Sequence, residues 1–252
     1  LTVGGKVKNI KLTIEYDGTD FCGWQKQVGL RTVEGVLNNA LSVVLNEEVS
    51  IIGSGRTDAK VHALGQVANF KSETQIALDR FSRAVNAYLP RDVAILSAEE
   101  VPMEFHSRYE PKRKTYIYKV QNGSVCRPVY RNYAGHYYRN LEEEKMRKAL
   151  QMFVGEHDFK AFMSAGSKIK KTVRTIYKAE ISREKDLLII EVEGNGFLYN
   201  MVRRIVGIVL EAGSGRLEID EIPKILEEKD NKRTMRLAPP QGLYLKTVQY
   251  TD

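Results

Sequence analysis

The chain has almost no cysteine. Cys22 and Cys126 are its only two, far apart and without the close pairing of metal ligands, which argues against a disulfide framework or a zinc site and fits a reducing cytoplasm. No apolar run approaches the roughly 20 residues of a membrane span, and the opening LTVGGKVKNI lacks the apolar core of a signal peptide. Nucleotide-cofactor chemistry also lacks its signatures, since there is no GxxxxGK[ST] loop and no GxGxxG after a strand. GSGR recurs at 53–56 and 213–216, but a short Gly-Ser pair is weak support for a phosphate cradle. No Pro- or Ser-rich linker interrupts the chain, so its parts are expected to pack tightly.

Positive charge is present in excess. Lys and Arg number 39 against 32 Asp and Glu, a formal charge of +7, which favours an anionic partner. The charges cluster: Arg108, Lys112, Arg113 and Lys114; Lys168, Lys170, Lys171 and Arg174; Arg203 with Arg204; Lys232, Arg233 and Arg236. Several separate clusters suit an extended phosphate backbone better than one small ligand.

At 252 residues the chain has room for one large domain or two ordinary ones. Ile10, Leu12, Ile14 and Tyr16 alternate as on a half-buried strand. Thr32 is a plausible N-cap for a helix carrying Val33, Val36, Leu37, Ala40, Leu41, Val44 and Leu45. Strands are expected at 49–53, 65–70 and 93–101, with a helix between the last two capped by Asp79 and closed by Pro90. The second half repeats the theme with strands at 115–120, 172–182, 186–193 and in LYLKTVQY, and helices from Leu141 to Gly155, over 200–211, and from Asp220. The pattern predicts an α+β protein of two similar halves, largely antiparallel, built on two sheets or one long sheet with helices on one side. The halves are expected at 1–105 and 106–252.

The stretch GSGRTDAKVHA, residues 53–63, joins two expected strands and sets Asp58 between Arg56 and Lys60. Loops held between strands concentrate functional side chains; taken alone, however, Asp58 reads first as an Asx-turn residue or the surface ion-pair partner of Arg56. His62, His106, His136 and His157 form no HExxH pair, so no metal site is expected. Tyr116 and Tyr118 alternate on a strand after Lys112, Arg113 and Lys114 and face one side. They suit stacking of an unpaired base beside phosphate-binding cations, although core packing explains Tyr118 better. Arg203 and Arg204 lie in one apolar helix. One should reach solvent, and the other must find a carboxylate or line a cleft; a pairing with Asp58 is the economical solution.

EYDGTDFCGWQKQ (15–27), GSGRTDAKVHALGQVANF (53–70), NAYLP (86–90), FHSRYEPKRKTYIY (105–118), NGFLYNMVRRIVG (195–207) and GLYL (242–245) together resemble the tRNA pseudouridine synthase A family, in order along essentially the whole chain. The resemblance implies that Asp58 is the catalytic aspartate, that Tyr116 stacks on the target base, that Arg203 pairs with the catalytic carboxylate, and that Arg56 lies beside the RNA and assists extrusion of the target nucleotide. It implies uridine isomerisation on the 3′ side of the tRNA anticodon stem-loop, an α+β fold with the catalytic cleft between its two halves, a homodimer bridged by tRNA, and no cofactor or metal.

Two other readings compete. An RNA-binding protein without catalysis has no need for Asp58, Arg56, Tyr116 and Arg203 together. A metal-dependent nuclease needs a second acid at ligand spacing, and the nearest candidates, Asp17 and Asp20, lie in another segment. Lys60 departs from the family, which most often has Gly there. The expectation is that the turn does not require a left-handed residue, and that the Lys60 ammonium is directed at phosphate.

Overall fold

The computed structural model describes residues 6–164 and 169–251. The chain divides into two compact units, Leu1–Lys112 with Leu245–Asp252, and Arg113–Tyr244.

The first unit is built on β1 (Lys8–Tyr16), which pairs antiparallel with β3 (His62–Ser72) on one side and β4 (Val93–Val101) on the other. Alternation puts Ile10, Leu12, Ile14 and Tyr16 in the core, each no more than 3% exposed. A short β2 (Ile52–Gly53) pairs antiparallel with β3. β10 (Leu243–Gln249) continues the order β4-β1-β3-β10. The two helices are α1 (Val33–Leu45) and α2 (Leu78–Asn86), which touch each other, α2 also packing on β4.

Local hydrogen bonding moves three expected boundaries. Val49 and Ile51 donate their amides to Ser42 Oγ and Asn38 Oδ1 of α1, so the strand expected at 49–53 shortens to Ile52–Gly53. Asp79 lies inside the first turn of α2, and Ala77 stands at the N-cap. An acid suits either place, because the first turn carries the positive end of the helix dipole. α2 stops at Asn86, well before Pro90, because the Asn86 side chain binds both the amide and the carbonyl of Ile95 (2.8 and 2.9 Å).

The second unit repeats the plan. β9 (Leu187–Gly194) lies between β5 (Arg113–Asn122) and β8 (Val173–Glu184), antiparallel to both; β7 (Gly155–Asp158) extends the sheet antiparallel beyond β8, and β6 (Gly135–Tyr137) adds a parallel pairing to β5. Its helices are α3 (Glu143–Gln151), α4 (Met201–Gly213) and α5 (Glu221–Glu228). α4 is buried on nearly every side and packs against α3 so closely that a Cβ on Gly213 would lie 2.4 Å from Met146 Cγ. Both units are therefore largely antiparallel sheets with helices, an α+β fold of two similar halves. No helix among the described residues is long and apolar enough to cross a membrane.

Candidate active site

Asp58 sits half-buried on the loop between β2 and β3. The segment 15–27 forms the seat of this loop. Trp24 N–H donates to Thr57 O (3.0 Å), Lys60 N–H donates to Phe21 O (3.3 Å), and Val61 N–H closes a turn onto Asp58 O (3.2 Å). Three glycines let the segments approach. A Cβ on Gly18 would stand 2.1 Å from Val61 O, one on Gly23 2.8 Å from Thr57 O, and one on Gly53 2.6 Å from the Trp24 ring. The Gly18 amide donates to buried His62 Nδ1 (3.0 Å), so that histidine serves the loop's far end.

Beneath the loop lies a buried polar network. Gln66 of β3 is wholly buried. Val67 N–H can only donate, and it points at Gln66 Oε1 (3.1 Å), which fixes the amide orientation. Oε1 also accepts from Ser54 Oγ (2.6 Å), and Nε2 donates to Gly55 O (3.1 Å). Tyr16 Oη, hydrogen-bonded to Gln66 as well, lies 2.7 Å from Thr57 Oγ1. Burial holds the Tyr16 hydroxyl well above the usual tyrosine range, so it stays protonated. Residues 54, 55 and 57 are thereby tied to strand side chains, and Asp58 follows directly. In the sequence Tyr16 is marked only as a strand residue and Thr57 and Gln66 are unremarked, although each falls inside one of the motifs at 15–27 and 53–70.

Lys60 corrects an expectation. Its φ is +65°, so this turn does place a left-handed residue where glycine is the undemanding choice. The amide bond to Phe21 O and the close passage of the 60–61 backbone over Gly18 hold the turn in that form.

Arg56 is exposed and makes no ion pair among the described residues. Asp17, weighed as a second acid, accepts from Thr19 N (3.0 Å) and Thr19 Oγ1 (2.5 Å) in a local Asx turn. Among the described residues no group of three or more His, Cys, Asp or Glu side chains could hold a metal ion.

Tyr116 and Arg203 belong to the second unit. Tyr116 is half-buried on β5 and meets Phe197 edge to face, with ring centroids 5.1 Å apart. Tyr118, two residues on, is 1% exposed. Its Oη donates to Pro239 O (2.9 Å), and its ring fills the space left by Gly135 and Gly242, where a Cβ would lie 2.2 and 2.5 Å from its atoms. Core packing accounts for Tyr118, and the glycine of GLYL makes room for it.

Arg203 Nε donates to Ala238 O (2.7 Å) and one terminal nitrogen donates to Asn200 Oδ1 (2.9 Å). Its neighbour Arg204 is the buried arginine of the pair, 6% exposed. The carboxylate or cleft expected for a buried guanidinium is replaced by uncharged oxygens, Thr234 O (2.7 Å), Thr234 Oγ1 (2.9 Å) and Ser164 Oγ (3.2 Å). Burial, with Arg203 alongside, pulls its pKa down, and Arg204 Nε has no partner among the described residues.

The basic clusters separate into two kinds. Arg113 pairs with Glu193, Arg233 with Glu221 and Glu228, Arg236 with Glu211, and Lys232 with Asp230, so much of that charge is met within the fold. Arg174 donates to the carbonyls of Lys171 and Val173. Arg108, Lys112, Lys170 and Lys171 are exposed and make no ion pair among the described residues. Lys168 lies outside the described residues.

The family described as tRNA pseudouridine synthase matches residues 12–110 and 149–251. The chain is similar to tRNA pseudouridine synthase A of Caldicellulosiruptor bescii, 45% identical over 97% of this chain and 100% of that protein. It is also similar to tRNA pseudouridine synthase A of Acetivibrio thermocellus, 46% identical over the same shares. A solved H/ACA ribonucleoprotein bound to a substrate RNA containing 2′-deoxyuridine is 14% identical, covering 92% of this chain and 59% of that one, at a TM-score of 0.37, too distant to carry weight. Full-length identity at this level, with the matched segments spanning both the Asp58 loop and the Arg203 helix, makes this chain a member of the tRNA pseudouridine synthase A family.

Proposed function

We propose that this enzyme isomerises uridine to pseudouridine on the 3′ side of the tRNA anticodon stem-loop, with Asp58 as its nucleophile. The observation that supports this most is the construction around Asp58. One carboxylate rides on a loop fixed from below by Gln66, Tyr16 and Thr57, and from the side by Trp24 and Phe21. A nucleophile must be held within a fraction of an ångström of its target, by neighbours that are themselves locked. An ordinary Asx-turn aspartate needs no such support.

The reaction is an internal rearrangement. The bond from the sugar C1′ to N1 of the uracil breaks, the base turns, and C1′ bonds to C5, which gives up its proton while N1 gains one. No oxidant or reductant enters. The carboxylate forms a transient covalent adduct and must be ionised to do so, a form that a guanidinium counter-charge favours; Arg203 is that counter-charge. A stacked uridine must first leave its helix, at a cost of roughly a few kcal/mol. Stacking on Tyr116 returns about 1–3 kcal/mol, while exposed Arg56 assists extrusion and exposed lysines and arginines hold phosphate. A cytoplasmic homodimer bridged by tRNA completes the proposal. Sedimentation of the enzyme with and without tRNA tests the dimer.

The function is tested by incubating unmodified tRNA with the enzyme in EDTA and assaying pseudouridine. Formation of pseudouridine in EDTA supports the proposal. Binding without product favours an RNA-binding protein, and activity only after a divalent cation is restored points to metal chemistry.

A further inference from the structure

Asn200 precedes α4 with φ +62°, a left-handed conformation that asparagine adopts more readily than other residues with a Cβ. At such a position asparagine ordinarily accepts a hydrogen bond from the first helical turn. Here its side chain caps nothing. The amide is used instead on two side chains around the start of the helix. Oδ1 accepts from Arg203 (2.9 Å) and Nδ2 donates to Ser164 Oγ (2.9 Å), which also accepts from buried Arg204 (3.2 Å). Arginine can only donate, so the atom facing Arg203 is the amide oxygen. A side chain that gives up its cap and spends both its oxygen and its nitrogen on neighbouring side chains is placed to orient them.

We infer that Asn200 is a positioning residue, which aims the Arg203 guanidinium through an uncharged oxygen so that Arg203 meets the reacting carboxylate in one geometry. The Ala238 carbonyl fixes the other end of the same guanidinium at Nε (2.7 Å). Neutrality is the point of the choice. A carboxylate at residue 200 would satisfy the same geometry, yet it would draw Arg203 into an ion pair of its own and weaken its pull on Asp58. The inference rests on the proposed partnership of Arg203 with Asp58.

The test compares Asn200→Gly, Asn200→Asp and Asp58→Ala in the tRNA assay. Glycine accepts φ +62° without strain, which offsets part of the loss of the bonds to Arg203 and Ser164, so Asn200→Gly is expected to stay folded with a Tm close to that of the unaltered enzyme. Its kcat should fall by about tenfold or more while KM for tRNA stays within about twofold, the signature of an interaction used in the chemical step. Asn200→Asp should lose more kcat than Asn200→Gly. Asn46→Gly, at another left-handed asparagine (φ 53°) closing α1, should alter neither constant. Wild-type kcat in Asn200→Gly or in Asn200→Asp overturns the inference. If Asp58→Ala is inactive in the same experiment, only the role of Asn200 falls; if Asp58→Ala is active, the reading of Asp58 falls first and takes the inference with it.

Discussion

The Tyr16 hydroxyl lies 2.7 Å from Thr57 Oγ1, linking the last residue of β1 to the residue immediately before Asp58. Both groups are buried, so neither has water to fall back on. Tyr16→Phe removes the hydroxyl and leaves Thr57 and Gln66 short of a partner. Stability should fall by about 1–3 kcal/mol, measured by urea unfolding, and kcat should fall with little change in KM for tRNA.

Gly18 has no room for a side chain, because a Cβ would stand 2.1 Å from Val61 O, and that neighbour is backbone. Gly18→Ala must push the 60–61 segment away and Asp58 with it. A loss of about 1–3 kcal/mol is expected, with kcat lowered in whatever fraction remains folded.

Lys60 at φ +65° carries a left-handed penalty of about 1–2 kcal/mol. Glycine removes it but adds about 0.4–1 kcal/mol of unfolded-chain entropy. Lys60→Gly should therefore hold stability level or raise it by up to about 1.6 kcal/mol, and Lys60→Val should lower Tm. If the ammonium meets phosphate, Lys60→Gly also reduces the salt slope of tRNA binding by about one. An unchanged slope removes Lys60 from the RNA contact.

Tyr116 and Tyr118 should separate cleanly. Tyr116 is half-buried against Phe197, and Tyr118 is caged by Gly135, Gly242 and Pro239. Truncating the caged ring to alanine would cost about 3–5 kcal/mol, so Tyr118→Phe is the fair comparison. Tyr116→Ala should lose far more turnover than Tyr118→Phe, and equal losses contradict the stacking role of Tyr116.

Much of the fold was legible because burial has a period. The alternation of Ile10, Leu12, Ile14 and Tyr16 marks β1, and the same logic finds β4, β5, β8 and β9 within a few residues. What periodicity misses is side chains that bond to the backbone. Ser42 and Asn38 take the amides of residues 49 and 51, respectively, and Asn86 takes both groups of Ile95, so element ends moved there. Asp58 and Arg56 stand out as a charge pattern, yet the support beneath them does not. Gln66 and Thr57 look like ordinary strand and loop residues until the fold brings them to Tyr16. Nor could helical spacing decide between Arg203 and Arg204, which lie about 100° apart on one helix whose surroundings bury nearly every face. The left-handed turn at Lys60 is silent in sequence because lysine carries no preference for it, whereas a glycine there would have announced it.

The central claim is that Asp58 performs the chemistry on a tRNA that the rest of the surface holds. Its most direct measurement is pseudouridine formation by Asp58→Ala, with tRNA affinity measured on the same preparation. The account predicts no pseudouridine and tRNA binding close to that of the unaltered enzyme. Pseudouridine formed at the unaltered rate by Asp58→Ala would contradict it.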